Sequence, residues 1–237
     1  MFKGLMKYHV TVLSRDYMNV LVGLTLPFIM LFAISRQIPE AGLSAFLEDH
    51  FVLWLFISGL FLTFFGIAWG HIHTRKTRFL RRLRMTPVTA KDFLLTGFTA
   101  CLPILTTMAV ALLAVMNLQM GKDLSGRSWL SFTIALFISF VMCYLMSMFM
   151  ANIVANAKMS ESLMYIGFFS LIGLLQFQQI FPENIRQILD YLPNFSALEM
   201  MHIAWTGGNI FASATLYITL AWTLGFALLT VKFFKYE

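Results

Sequence analysis

Long hydrophobic runs separated by short polar connections dominate the chain. Six of them are long enough to cross a bilayer: Met18–Ser35, Phe51–Gly70, Phe93–Leu118, Trp129–Ala151, Ser162–Phe181 and Ile210–Phe233. A hydrocarbon core of about 30 Å needs about 20 apolar residues in a helix. None of the six carries Asp, Glu, Lys or Arg near its middle, where each would cost about 2.5–3.5 kcal/mol on insertion scales. The runs are continuous rather than alternating, which predicts helices rather than barrel strands. The expected fold is an all-α integral membrane protein of six transmembrane helices, one domain over residues 1–237, with no room for a separate soluble domain. The first run is too long and too far from Met1 for a cleaved signal peptide, and no small-x-small site follows it.

The connections carry patterns of their own. In Met1–Tyr17, Phe2, Leu5, Met6, Val10 and Leu13 share one helical face, and Lys3, Lys7, Thr11 and Ser14 the opposite one. That predicts an interfacial helix over residues 1–17, with its lysines toward anionic headgroups. The Gly70–Asp92 connection interleaves Phe79, Leu80, Leu83 and Val88 with arginines at helical spacing. It reads as a short amphipathic helix over residues 78–88, stopped by Pro87, with Thr89 placed to cap the next helix. Such a knob beneath the membrane suits docking into a groove on a soluble partner; a merely solvated basic loop is the plainer reading. In 182–208, Ile185, Ile188, Leu189 and Leu192 are apolar at i, i+3, i+4 and i+7. Pro193 breaks that piece, Asn194 is placed to cap Phe195–Trp205, and Gly207-Gly208 ends it. The expectation is an outer helical hairpin too short to cross, lying on the interface or dipping in and returning.

Composition narrows the class. The chain is 59% hydrophobic and 12% charged, with mean hydropathy +0.78, where soluble domains carry about 25% charged residues. A water-soluble globule, a disordered chain, a disulfide scaffold and a nucleic-acid binder are excluded. The net charge of +6 then reads as topology. With six crossings, thirteen of the 17 Lys and Arg fall on one side, seven of them between Gly70 and Asp92. Only Arg36, Lys122, Arg127 and Arg186 fall on the other. The richer side is expected to be cytoplasmic, with both termini there. Cys101 and Cys143 lie inside apolar runs and read as small buried hydrophobes.

Catalytic chemistry is sparse. No phosphate loop is present, since Gly121-Lys122 is followed by Asp123 and lacks the upstream glycine. There is no nucleophile elbow, no H-E-x-x-H and no intramembrane carboxylate pair for a proton relay. His71 and His73 diverge on a helix and read as headgroup-level polar residues rather than metal ligands. No metal site is expected. The polar residues in the spans are neutral: Ser58, Thr63, Gln176, Gln178 and Gln179, with Asn152 and Asn156 following the fourth span. Such groups commonly glue helices, and Ser58, Thr63 and the three glutamines are also candidates for lining a substrate path.

On these residues the chain resembles the permease subunit of ABC-2 type transporters, of the small six-helix exporter kind. The resemblance covers nearly the whole chain. It rests on the amphipathic N-terminus, on K-T-R-F-L-R-R-L-R-M-T-P-V-T-A-K-D-F-L-L (Lys76–Leu95), on F-P-E-N-I-R-Q-I-L-D-Y-L-P-N-F-S-A-L-E-M-M (Phe181–Met201), and on six spans with both ends inside. One departure is that His71 and His73 stand where members often carry a glutamate. The resemblance implies that residues 78–88 are a coupling helix fitting an ATP-binding subunit. Arg78, Phe79, Arg81, Arg82, Leu83, Arg84, Thr86 and Pro87 would transmit its motion, and 182–208 would be an outer re-entrant hairpin. It further implies two copies of this chain and two ATPase subunits, which hold the ATP and Mg; this chain binds no cofactor and is not itself an enzyme. Spans one, two and five would open a path for an amphiphilic drug, antibiotic, peptide or lipid-like substrate across the cytoplasmic membrane of a prokaryote. Membrane lipids are the remaining expected partner, and nucleic acid is not one. Two other readings stay open: an intramembrane enzyme using His71, His73 or His202, and a non-transporting anchor or sensor for a soluble partner.

Overall fold

The structure is a computed structural model that describes residues 2–15, 18, 21–22, 25, 28–29, 32–33, 36, 40–76, 80, 85–120, 128–154, 156–177 and 180–234. The first apolar run, Met18–Ser35, therefore lies mostly outside the described residues. Among the described residues the chain is helical, without a strand. The helices are α1 (Phe2–Arg15), α2 (Glu40–Phe61), α3 (Trp69–Lys76), α4 (Ala90–Met120), α5 (Trp129–Ile153), α6 (Ala157–Phe177), α7 (Glu183–Leu189), α8 (Pro193–Trp205) and α9 (Ala214–Phe233). A π-helical segment, Leu62–Ala68, joins α2 to α3 in one continuous rod.

Among the described residues, five helices are long and apolar enough to cross a membrane: Asp49–Lys76, Ala90–Val115, Trp129–Ile153, Ala157–Phe177 and Ala214–Phe233. They correspond to the second through sixth runs, with ends moved by local chemistry. The second continues two turns past Gly70, through residues expected to be loop, because their side chains find partners on α5 and α6. The third starts at Ala90, where Thr89 and Asp92 form a reciprocal capping box. Asp92 N–H donates to Thr89 Oγ1 at 3.2 Å, and Thr89 N–H and O–H donate to Asp92 Oδ2 at 3.0 and 2.7 Å. The fifth starts at Ala157, earlier than expected, because Asn156 Oδ1 accepts from Lys158 N–H at 2.9 Å. The last starts at Ala214, where Ser213 Oγ accepts from Thr215 N–H, and Ile210–Ala212 is a separate 3-10 turn.

Helix α5 is apolar on every side, as a buried helix must be, and it packs against the π segment, α6, α8 and α9. Helix α1 lies along α4. The two ends of the bundle are distinct. At one end Phe51, Phe132 and Trp205 stack, with ring centroids 4.5–6.2 Å apart. At the other, Phe234 packs on both His71 (5.3 Å) and Phe93 (5.6 Å), and Lys76 pairs with Glu161. The second end thus gathers the C-terminus of α3, the start of α4, the α5–α6 junction and the end of α9.

The 182–208 segment forms two short helices as expected, with a different cap. Leu192, not Asn194, precedes the second helix, and Pro193 occupies its first position, where a missing N–H costs nothing. Asn194 is fully buried inside α8. Helix α8 is no surface element. Phe195, Ala197, Met200, Met201, Ala204 and Trp205 are buried against α5, α9 and α2. Ser139 Oγ donates to the Ala197 carbonyl at 3.3 Å, and Thr219 Oγ1 to Ser196 Oγ at 3.2 Å. The helix ends as expected: Gly207 has φ +85°, which favours glycine, and Gly208 N–H closes onto the Ile203 carbonyl at 2.8 Å. Helix α7 exposes Ile185 and Ile188 and buries Leu189.

Candidate functional site

The densest polar arrangement among the described residues lies where α1 meets the rod of α2 and α3. The buried stripe of α1 is Leu5, His9 and Leu13. These stand at i, i+4 and i+8, one above another on a helix. Phe2 and Val10, expected on the apolar face, are half exposed. A histidine at the centre of the stripe was legible from that spacing, but a face defined by apolar residues alone passes over it. Its ring meets Phe93 edge-on at 4.5 Å, and its Nε2 has no hydrogen-bond partner. Burial lowers the His9 pKa to about 4, against a hydrogen bond with the Phe93 backbone.

Facing it is His71, 3% exposed, enclosed by neighbouring helices. The amide of Asn152 donates to the Met148 carbonyl at 2.7 Å, so its oxygen faces His71. His71 Nε2–H therefore donates to Asn152 Oδ1 at 3.0 Å, and Nδ1 is the ring nitrogen left without a partner. His73, two residues on, is exposed. One turn beyond His71, Arg75 is buried, with its guanidinium on the end of α5. It donates to the Ala151 carbonyl at 2.6 Å and to the Val154 carbonyl at 3.0 Å. Those carbonyls have no partner within their own helix, and their partial negative charge suits a cation. Tyr8 completes the seam. Thr74 O–H donates to Gly70 at 2.6 Å, leaving Thr74 Oγ1 to accept from Tyr8 at 2.7 Å.

Between α1, the π segment, α3, α4 and α5 lies a narrow cleft. His9, His71, Gly97, Cys101 and Tyr144 are on its walls. Gly97 is needed for the fit: a Cβ there would stand 2.8 Å from Tyr144 Oη and 3.2 Å from the His9 ring. Tyr144 O–H donates to the Leu94 carbonyl at 2.7 Å. A second, smaller cleft is lined mainly by apolar groups, with Leu55, Gly59, Leu105, Cys143 and Met201 among them. The described residues contain no group of three His, Cys, Asp or Glu placed to hold a metal.

Only some of the residues singled out from sequence are among the described residues. Arg78, Phe79, Arg81, Arg82, Leu83 and Arg84 lie outside the described residues. Thr86 and Pro87 are exposed in a turn, Met85–Pro87, so a helix over 78–88 does not reach Met85. Leu80 is helical and fully buried. Ser58 and Thr63 are fully buried, and their hydroxyls donate to the Trp54 and Leu60 carbonyls of their own helix. Gln176 is exposed near the end of α6, while Gln178 and Gln179 lie outside the described residues. Neither cleft is lined by Ser58, Thr63 or Gln176. Arg75, His9 and Asn152 are the residues that matter for this geometry; Arg75 and Asn152 find partners on distant helices, and His9 packs on Phe93. No protein-family model matches the chain, and no curated protein or solved structure matches it.

Proposed function

We propose that this chain is the membrane-spanning permease subunit of an ATP-driven ABC-2 type exporter. The observation that carries this reading is the meeting at one end of the bundle of α1, Lys76, Ala90, the α5–α6 junction and Phe234. Those are the segments to which the positive-inside reading assigns Lys3, Lys7, Arg75, Lys91, Lys158 and Lys232 on one side. In a bilayer that end is the cytoplasmic one by the positive-inside bias. The basic connection from Lys76 to Ala90 is anchored at both its borders there, by the Arg75 contacts before it and the Thr89–Asp92 cap after it.

In this reading residues 78–88 dock on an ATP-binding subunit and act as a lever on the rod above them. Leu83 and Phe79 supply the shape of the contact, and Arg81, Arg82 and Arg84 its charge. The chain carries no phosphate loop, so ATP and Mg belong to the partner. Two copies of each subunit make the complete machine. The first run supplies the sixth span, and α7–α8 form a re-entrant hairpin, a role suited to two helices of 7 and 13 residues, too short for a bilayer. The substrate is an amphiphile entering from the inner leaflet of a prokaryotic cytoplasmic membrane.

The test is a complex of this chain with its ATPase subunit in lipid nanodiscs. Replacing Leu83 and Arg84 with Asp is expected to leave the chain inserted while substrate no longer stimulates ATP hydrolysis. Unchanged stimulation in that variant refutes the lever. Transport by the isolated chain without ATP refutes the whole reading.

A further inference from the structure

The seam between α1 and the bundle is built around groups that can be buried only while uncharged. His9 sits between Leu5 and Leu13 on the docked face, 8% exposed, and its Nε2 reaches neither a protein partner nor solvent. Across the cleft, His71 Nδ1 is equally sealed and unpaired. Both rings pack on one phenylalanine, Phe93, at 4.5 and 5.6 Å. A buried acceptor without a donor is already unfavourable, and a buried cation without a counter-charge is far more so.

The groups facing His9 offer no counter-charge. From its own helix comes Tyr8; from α3, His71 and Thr74, with Arg75 one turn beyond His71 a cation committed to the end of α5. From α4 come Phe93, Gly97 and Cys101, and from α5, Tyr144, whose O–H is engaged with Leu94. The one carboxylate of α4, Asp92, is held by Thr89. Lys3 and Lys7 lie on the outer side of α1. Among the described residues no Asp or Glu lines the cleft.

We propose that α1 is a proton-released latch, docked on α4 and the rod while His9 is neutral and detached once His9 takes up a proton. Release opens the cleft whose walls α1 shares with Gly66, Ile67, Gly70, His71 and Thr74. The sign follows from burial. The docked histidine has its pKa lowered to about 4, against about 6.5 for a free one. Docking is at full strength above the free value. It weakens as pH falls through that value, and the loss is complete once pH passes below the docked value. Between about pH 7.5 and about pH 4.5 the docking equilibrium drops on the order of 50–100-fold.

The experiment is a spin-label distance measurement on the full chain in nanodiscs, with labels at Lys3→Cys on the outer side of α1 and Lys91→Cys at the start of α4. The native Cys101 and Cys143 are buried and stay unlabelled in the folded chain. Expected is a single short distance at neutral pH and a second, longer population on acidification, reversed on return. The pair is also read with Leu13→Ala, which loosens docking and brings the equilibrium into range if the native helix is held too tightly. In His9→Phe the short distance is expected at both pH values. A distance independent of pH in both the native and Leu13→Ala backgrounds overturns the latch. So does an equal acid-induced population in His9→Phe, which would assign the trigger elsewhere.

Discussion

Removing the guanidinium of Arg75 tests the architecture most directly. Arg75→Met keeps the length and apolar stem of the side chain and deletes the donors at 2.6 and 3.0 Å from the Ala151 and Val154 carbonyls. Hydrogen bonds to a charged group contribute about 1.5–3 kcal/mol each. The freed carbonyls sit at a helix end that still has some access to water, so the two losses do not add in full. A net destabilisation of about 2–4 kcal/mol is expected, which for a chain of this size shifts Tm by roughly 5–15 °C. The chain carries its own reporter. Cys101 and Cys143 are buried, so a fluorogenic thiol dye reacts only as the bundle opens, and the midpoint is read during heating in detergent. Arg75→Lys is expected to fall between the two, because a single ammonium cannot span both carbonyls as a planar fork does. A change of under about 1 °C in Arg75→Met would refute the claim that this residue ties the rod to the end of α5.

Further outcomes follow from single contacts. Asn152→Leu removes the acceptor of His71 Nε2–H and is expected to cost about 1–3 kcal/mol; combined with His71→Phe in a double-mutant cycle, the two losses should be less than additive by at least about 0.5 kcal/mol. Thr89→Ala breaks the reciprocal cap on α4 and should cost about 0.5–2 kcal/mol in the same thiol assay. Gly97→Leu pushes a side chain against Tyr144 Oη and His9; it should displace α1, read as new protease sensitivity at Lys3 and Lys7, with α4 still inserted. Gly207→Ala places a Cβ at φ +85° and should cost about 1 kcal/mol, whereas Gly4→Ala, with open space around it, should be neutral or better.

Much of the architecture was legible in the sequence because it depends on one-dimensional signals. Continuous apolar runs locate the spans, and Thr89 and Gly207 mark ends through local backbone chemistry that needs no distant partner. The misplacements share a cause. His71, Thr74, Arg75 and Lys76 looked like loop because charge predicts water. Their partners, Asn152, Tyr8, the Ala151 carbonyl and Glu161, lie 66 to 85 residues away in the chain, and no local pattern announces them. Helix α8 is a different case. Phe195, Ala197, Leu198, Met200, Met201, Ile203 and Ala204 leave it apolar on most sides, the signature of a buried helix. Asn194 drew attention to its polar start instead, and it turns out to be fully buried. Of the residues singled out for function, the basic finger stands on sequence alone, while the His9–His71 seam emerged from packing.

The π segment of the long rod has a mechanical consequence. Seven residues, Leu62–Ala68, all buried, carry wider turns in mid-rod, with Phe61 and Phe65 stacked along them at 4.8 Å. A π turn stores an extra residue relative to α geometry, and each residue corresponds to about 100° of rotation. Migration of that surplus along the rod swivels whatever lies below it relative to whatever lies above, without unzipping the ladder of backbone bonds. Above sit Phe51 and Trp54; below sit His71 and Arg75. The surplus residue wound into mid-rod thus lets the His71 end turn relative to the Phe51 end while the backbone ladder stays closed.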